Sequence, residues 1–250
     1  AEILNNSVMA FDGTAYINGG TEAIYTSTRV DFACRFKTTA TGERVIGGRY
    51  ALAGGQGSFI LDIVSTKISI VISTTGNDAF TFNLSSVAVN DGEWHEVIGA
   101  WEAGETAGTV SGTLDGIPFS VTTTGVNTVN TTTTQPFAVG TISLLAGARF
   151  IGLIDYIRLG TATFKGSHCW GTLVQNVGTA GGDGTVTNAV LADFWAKNDD
   201  ATPHNFINGF YLYENGVAGE EIRYPIELES GDIPSGYSLS GYFPPLVFGN

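Results

Sequence analysis

Residues 108–124 read GTVSGTLDGIPFSVTTT. Asp115-Gly116 supplies the two positive-φ positions of a type I′ turn, the tightest link between antiparallel strands. That turn sets the register. Leu114 pairs with Ile117, Gly112 with Phe119 and Val110 with Val121, and all six share one face. Turn chemistry and apolar alternation therefore agree on a hairpin. Pro118 falls opposite Thr113 in a non-hydrogen-bonded pair. A proline there has no outward N–H to donate, so its strand belongs at a sheet edge or is locally unpaired on its outer side.

The same period-two pattern fills residues 1–160. Phe59, Leu61 and Ile63 alternate in SFILDIV, Ile68, Ile70 and Ile72 in KISIVIS, and Phe80, Phe82 and Leu84 in AFTFNLS. Such runs, separated by Gly, Asn and Asp, predict antiparallel strands with one dry face. Many short strands in one chain predict an all-β, two-sheet sandwich. At 250 residues the chain buries enough surface, roughly 70% of the unfolded area, to need no covalent staples. In VDFACRFK, Val30, Phe32, Cys34 and Phe36 alternate onto one face, so Cys34 reads as a buried structural thiol. Nothing in the spacing supports a bond to Cys169.

The composition excludes several functions. There are 24 Asp plus Glu against 11 Lys plus Arg, a net charge of −13. Such a surface repels phosphate backbones and anionic bilayers. No run approaches ~18 apolar residues, the length a membrane helix needs. The opening Ala-Glu-Ile is not a charged-then-apolar leader, which sets an expectation of use without export.

Past residue 160 the character changes. GTAGGDGT (178–185) reads as loop. In NAVLADFWAK (188–197), Asn188 is a cap, and Val190, Leu191, Phe194 and Trp195 form a stripe, which predicts a short helix. Asn215-Gly216 in YLYENGVAG predicts a second hairpin, near 210–223. The last twenty residues carry Tyr237, Tyr242, Phe243 and Phe248 among Gly, Pro and Ser. They read as an arm that packs either on its own domain or on a neighbouring subunit. The predicted organisation is a sandwich over 1–160 and an extension over 161–250.

Four motifs in order carry a resemblance. They are Phe11-Asp12-Gly13, Trp94-His95, Asp115-Gly116, and Gly152-Leu153-Ile154-Asp155 leading to Ile157-Arg158. Spanning residues 8–160, the set resembles laminin-G-like, concanavalin A-like jelly-roll domains. The resemblance implies two curved antiparallel sheets, with carbohydrate or protein bound on a rim or concave face. It also implies calcium as the candidate ion, with Asp12, Asp78, Asp91 and Asp183 among the loop oxygen ligands on offer. Read from the residues alone, Asp12-Gly13 and Asp115-Gly116 are turns, Trp94 is core, and Asp155 is a cap or a partner of Arg158. GTAGGDGTVTNAVLADFWAKNDD resembles a segment found near jelly-rolls in tailed-phage virion proteins, although here it follows the sandwich instead of preceding it.

Catalytic patterns are missing. No Glu is followed two residues later by Asp, as the sandwich glycosidases require. Glu227 and Glu229 in IELES share a face but lack the central Asp. There is no G-x-S-x-G elbow, phosphate loop or dinucleotide fingerprint. His95, His168 and His204 stand apart from each other and from the cysteines. Trp101 and Tyr50 are candidates for stacking on a sugar ring. The expectation is a non-enzymatic virion protein without cofactor, a capsid decoration or tail-fibre component. It would assemble with itself and other subunits, with glycans as the candidate ligand. A secreted carbohydrate-binding module and a sandwich-fold glycoside hydrolase are the alternatives.

Overall fold

A computed structural model describes residues 7–51, 54–142, 148–170, 173–179, 181–187, 195–197, 210–214, 217–222 and 237–240. The first strands are β1 (Ser7–Asp12), β2 (Tyr16–Asn18), β3 (Arg29–Lys37), β4 (Arg44–Arg49), β5 (Phe59–Val64), β6 (Lys67–Ile72) and β7 (Phe80–Asn83). There follow β8 (Trp94–Glu102), β9 (Ala107–Leu114), β10 (Ile117–Thr124), β11 (Ala138–Val139), β12 (Ile151–Leu159) and β13 (Ala162–Trp170). The last are β14 (Leu173–Asn176), β15 (Gly184–Thr187), β16 (Trp195–Lys197), β17 (Phe210–Glu214), β18 (Val217–Ile222) and β19 (Tyr237–Ser240). No helix is present among the described residues.

The strands form an antiparallel sandwich. One sheet is ordered β10-β9-β8-β3-β12, the other β2-β11-β4-β5-β6-β7, and β13-β14-β15 carry the hydrogen-bonded ladder from one to the other. Val30, Phe32, Cys34 and Phe36 alternate inward from β3 and are all fully buried. Phe32 meets Phe59 of the opposite sheet at 5.9 Å between ring centroids. At one end Phe150 stands edge-on to Phe11 and Phe36. At the other Phe137 stacks on Phe164 at 5.4 Å. Tilted and edge-on rings of this kind fill a sandwich core well and add to their area burial. The Cys34 thiol is buried among them and free, its pKa pushed up by desolvation.

The hairpin has the register read from its sequence. Leu114 lies opposite Ile117, Gly112 opposite Phe119, Val110 opposite Val121 and Pro118 opposite Thr113. Asp115 has φ 53° and Gly116 φ 78°, the type I′ signature. β10 ends its sheet, which is where Pro118 is tolerated. The shared face is not uniformly dry, because β10 overhangs the core: Val110 is fully buried, whereas Ile117 is 66% exposed. Gly108 is needed for a different reason. A Cβ there would run into the Trp101 indole nitrogen.

The ladder does not stop at residue 160. β13 pairs with β12, β14 with β13, and β15 with β2 through Val186 and Ile17. Ala162, Phe164 and Val186 belong to the same core. These strands close the side of the sandwich, and no strong apolar alternation announces them. Of the helix expected over 188–197, residues 188–194 lie outside the described residues. Trp195–Lys197 are a strand, held extended by pairing with β1 through Met9 and Trp195. The second hairpin pairs as expected, with Glu214 opposite Val217, and β19 completes a separate three-stranded sheet.

One dry face was expected for β5 and β6, yet both faces are covered. Val45, Tyr50, Ile60 and Val71 form a second cluster on the outer face with Ile142 and Ala148. Ala148 is held there by the Val45 N–H, which donates to its carbonyl oxygen at 2.6 Å. Asp62 is caught beneath this cover, fully buried. Ser69 donates to its Oδ1, and Oδ2 meets no partner among the described residues. Burial foremost, opposed by the Ser69 hydrogen bond and aided by Glu43, pushes its pKa up to about 7.

Two tests follow from these sites. Gly116→Val has open space around its Cβ, so its cost is backbone strain alone, about 1–3 kcal/mol, measured as a lowered thermal midpoint. An unchanged midpoint overturns the type I′ assignment. Asp62 binds a proton more tightly folded than unfolded, so its stabilisation is full below pH 3.8 and is lost as pH rises through about 7. Urea melts from pH 4 to 8 are expected to show a loss on the order of a few kcal/mol that Asp62→Asn removes. An equal slope in both proteins would refute this.

Candidate functional site

The residues singled out in the sequence take varied positions. Trp101 is fully buried, its Nε1–H donating to Thr123 Oγ1 at 2.9 Å. Tyr50 is 3% exposed and donates its hydroxyl to Asp78 O. Trp101 is closed to a ligand, whereas Tyr50, though nearly buried, contributes to the lining of the cleft described below. Trp94 points outward, half-buried, with the Arg35 guanidinium 4.5 Å above its ring. It therefore lies outside the main core, where the strand alternation places His95 instead. Asp155 pairs with Arg35 at 2.8 Å. A bulge between Ile154 and Tyr156 turns its carboxylate to that neighbour and not to Arg158.

The loop aspartates are engaged by their own loops. Asp12 accepts from the Thr14 and Ala15 amides at 2.7 and 3.0 Å. Burial raises its pKa, but these bonds outweigh it and leave the carboxyl below its ordinary value. Asp78 accepts from Ser73, Thr74 and Thr75 and is likewise driven well down against its desolvation. Asp91 accepts from the Glu93 amide and Asp183 from the Asn176 amide, both at 2.9 Å. His95 sits between Asp115 at 2.7 Å and Asp91 at 3.0 Å. Burial lowers its pKa, and the two carboxylates outweigh that and raise it. The imidazole thus ties the hairpin turn to the loop before β8. Among the described residues no three His, Cys, Asp or Glu side chains gather as a metal site. Tyr237 lies in β19 opposite Glu214. Glu227, Glu229, His204, Tyr242, Phe243 and Phe248 lie outside the described residues.

A cleft of about 370 Å³ opens on the outer face of β2, β11 and β4, within the range of about 300–1,000 Å³ usual for small-ligand sites. Alternation in β2 buries Ile17 and turns Tyr16 and Asn18 outward. Asn18, Ala138 and Gly48 lie side by side across the three strands, so two small residues keep the floor low. Gln135, Pro136, Ile142 and Arg149 complete the lining. Arg149 Nη1 donates to Thr14 O at 2.9 Å, and its guanidinium lies over the Tyr16 ring at 5.8 Å. Its Nε is buried without a partner among the described residues. Asn18 accepts from the Gly20 N–H through its amide oxygen and lines the cleft. Four chain segments contribute, and none carries a local motif, which is why sequence reading missed Tyr16, Asn18, Gln135 and Arg149.

The walls are held together by Arg49. It is 2% exposed and donates to Gln135 O at 3.1 Å, Thr133 O at 3.1 Å and Thr21 O at 3.0 Å. The Tyr25 ring lies 5.8 Å from its guanidinium.

This is a concanavalin A-like sandwich with a cleft on the outer face of one sheet. The family profile described as the concanavalin A-like lectin/glucanases superfamily matches residues 11–164, and the chain belongs to that superfamily. A Bacteroides ovatus protein described as carbohydrate binding superposes with TM-score 0.56 at 13% identity, over 78% of this chain and 60% of that one. The LG1–3 region of the laminin α2 chain superposes with TM-score 0.50 at 12% identity, over 73% of this chain and 34% of that one. The chain thus spans about three-fifths and one-third of these two structures. No curated protein matches the sequence.

Arg49→Met is expected to leave three carbonyls without their buried donor and to cost about 2–4 kcal/mol. Chemical denaturation measures this. A loss below about 1 kcal/mol, the size of an exposed polar contact, would show that the guanidinium does not hold the walls.

Proposed function

We propose that this protein is a non-enzymatic carbohydrate-binding sandwich, a capsid decoration or tail-fibre component of a tailed-phage particle. The observation that carries the binding is the cleft itself. It offers a half-exposed tyrosine ring, two side-chain amides and a guanidinium above a floor of Ala138 and Gly48. Aromatic faces pack on the C–H face of a sugar, while amides and guanidinium groups bond its hydroxyls. The fold relative from Bacteroides ovatus, described as carbohydrate binding, is consistent with this use.

The absence of turnover rests on the lining. Glycoside hydrolysis in its usual form takes two carboxyl groups about 5–9.5 Å apart across the scissile bond. The described lining residues contain no Asp or Glu. The virion setting rests on the resemblance of residues 178–200 to the tailed-phage segment. Display in many copies suits a shallow site, because multivalent engagement raises avidity without new contacts.

The expected outcome is retention on one or more polysaccharides in a broad binding panel, no release of reducing ends, and loss of retention in Tyr16→Ala. Sustained protein-dependent cleavage overturns the non-enzymatic reading. Binding untouched by Tyr16→Ala overturns the assignment of the cleft. Mass spectrometry of purified particles tests the virion setting, which fails if the protein is found only free in the medium.

A further inference from the structure

The cleft contains one charged side chain among its described lining residues, Arg149, and no carboxylate balances it. Arg158 also has a buried Nε without an acceptor among the described residues, but it does not line the cleft; three further arginines have evident partners. Arg29 pairs with Asp31 and Glu102, Arg35 pairs with Asp155, and Arg49 faces three carbonyls. Arg149 makes a hydrogen bond to Thr14 O and a ring contact with Tyr16. Neither is an anion. Its Nε lies out of water with no acceptor among the described residues. A guanidinium in this state lacks an acceptor for a buried donor and a counter-charge for its cation. A bound anion at the cleft face of the guanidinium supplies the missing counter-charge. The net charge of −13 makes the contrast sharper, since this positive side chain lies in a concave site on an acidic protein.

We propose that the cleft selects acidic saccharides, with the carboxylate or sulfate of the ligand accepting from Arg149 and the sugar ring lying against Tyr16. The proposal rests on the cleft being the glycan site. A planar carboxylate accepts two parallel N–H bonds from one guanidinium, a geometry that a sugar hydroxyl does not reproduce. Asn18 and Gln135 are placed to bond neighbouring hydroxyls or an amide substituent of the same sugar. An ammonium at position 149 would keep the charge and lose the fork.

The test uses the full chain and matched pairs of probes in titration calorimetry. Sialyllactose against lactose and oligogalacturonate against its methyl ester report on carboxylate. A heparin oligosaccharide against its desulfated form reports on sulfate. The acidic member of at least one pair is expected to bind about tenfold more tightly, as one charge-assisted contact provides. The pair that shows the preference identifies the anion. The preference is expected to vanish in Arg149→Gln, to survive in part in Arg149→Lys, and to shrink as NaCl is raised. Thermal melting of both variants controls for folding. Equal binding of acidic and neutral members, or a preference that persists in Arg149→Gln, overturns the proposal. If neutral members bind and only Tyr16→Ala abolishes that binding, the glycan site stands and the acidic selectivity falls. Absence of binding to any probe at millimolar concentration overturns both.

Discussion

The cleft exists because of one buried cation. Arg49 has left water without a carboxylate to meet it, and three backbone carbonyls take its place. Those carbonyls belong to segments far apart in the chain, around Thr21 and around Thr133–Gln135. An ionised group inside a protein is tolerated only when hydrogen bonds replace its hydration. Folding therefore brings both segments against the end of β4 together or leaves the charge uncompensated. Once they are there, Gln135 and Pro136 stand beside Gly48, and β2 is fixed across β11 with Tyr16 and Asn18 facing out. Substituents on Asn130 continue the same cross-linking toward β5, donating to Gly57 O at 2.7 Å and Gly55 O at 3.2 Å.

The outer cover of β4, β5 and β6 is the second consequence. A sheet with one wet face would expose Ile60 and Val71; here Ile142 and Ala148 shield them. The segment that supplies this shield also brings Arg149, whose backbone bridges Val45. Apolar burial and the charged wall of the cleft thus come from one crossing segment. Asp62 marks the cost of that cover. One of its oxygens meets no partner among the described residues, and desolvation dominates its titration.

What the sequence discloses follows from the range of each interaction. Asp115-Gly116 was legible because a type I′ turn is specified by two adjacent residues and tested by six that flank it. Val30, Phe32, Cys34 and Phe36 were legible because alternation is a local property with one answer in a sheet. The two tryptophans of β8 were not. Trp94 and Trp101 are seven residues apart, so alternation places them on opposite faces. Nothing local says which face is core until His95 and Val97 are known to face inward. The closing strands β13–β15 were obscured for another reason. Their apolar residues are few, and Phe164 and Val186 find their places by packing on Phe137 and by pairing with β2. The cleft was legible only at Tyr50, being assembled from four segments whose outward residues carry no shared spacing.

Arginine shows why composition is a poor guide to a site of this kind. The residue type is the same at 29, 35, 49 and 149, and the physical states differ. Arg29 is half-exposed between two carboxylates, where solvent and salt leave an ion pair little net effect. Arg35 is divided between Asp155 and the face of Trp94. Arg49 is enclosed and structural. Arg149 alone among these four lines a cavity with a buried donor unmet. Charge becomes chemistry where the fold leaves it incomplete. In this sandwich that place is the wall of the cleft, beside the one aromatic ring the cleft presents in part to solvent.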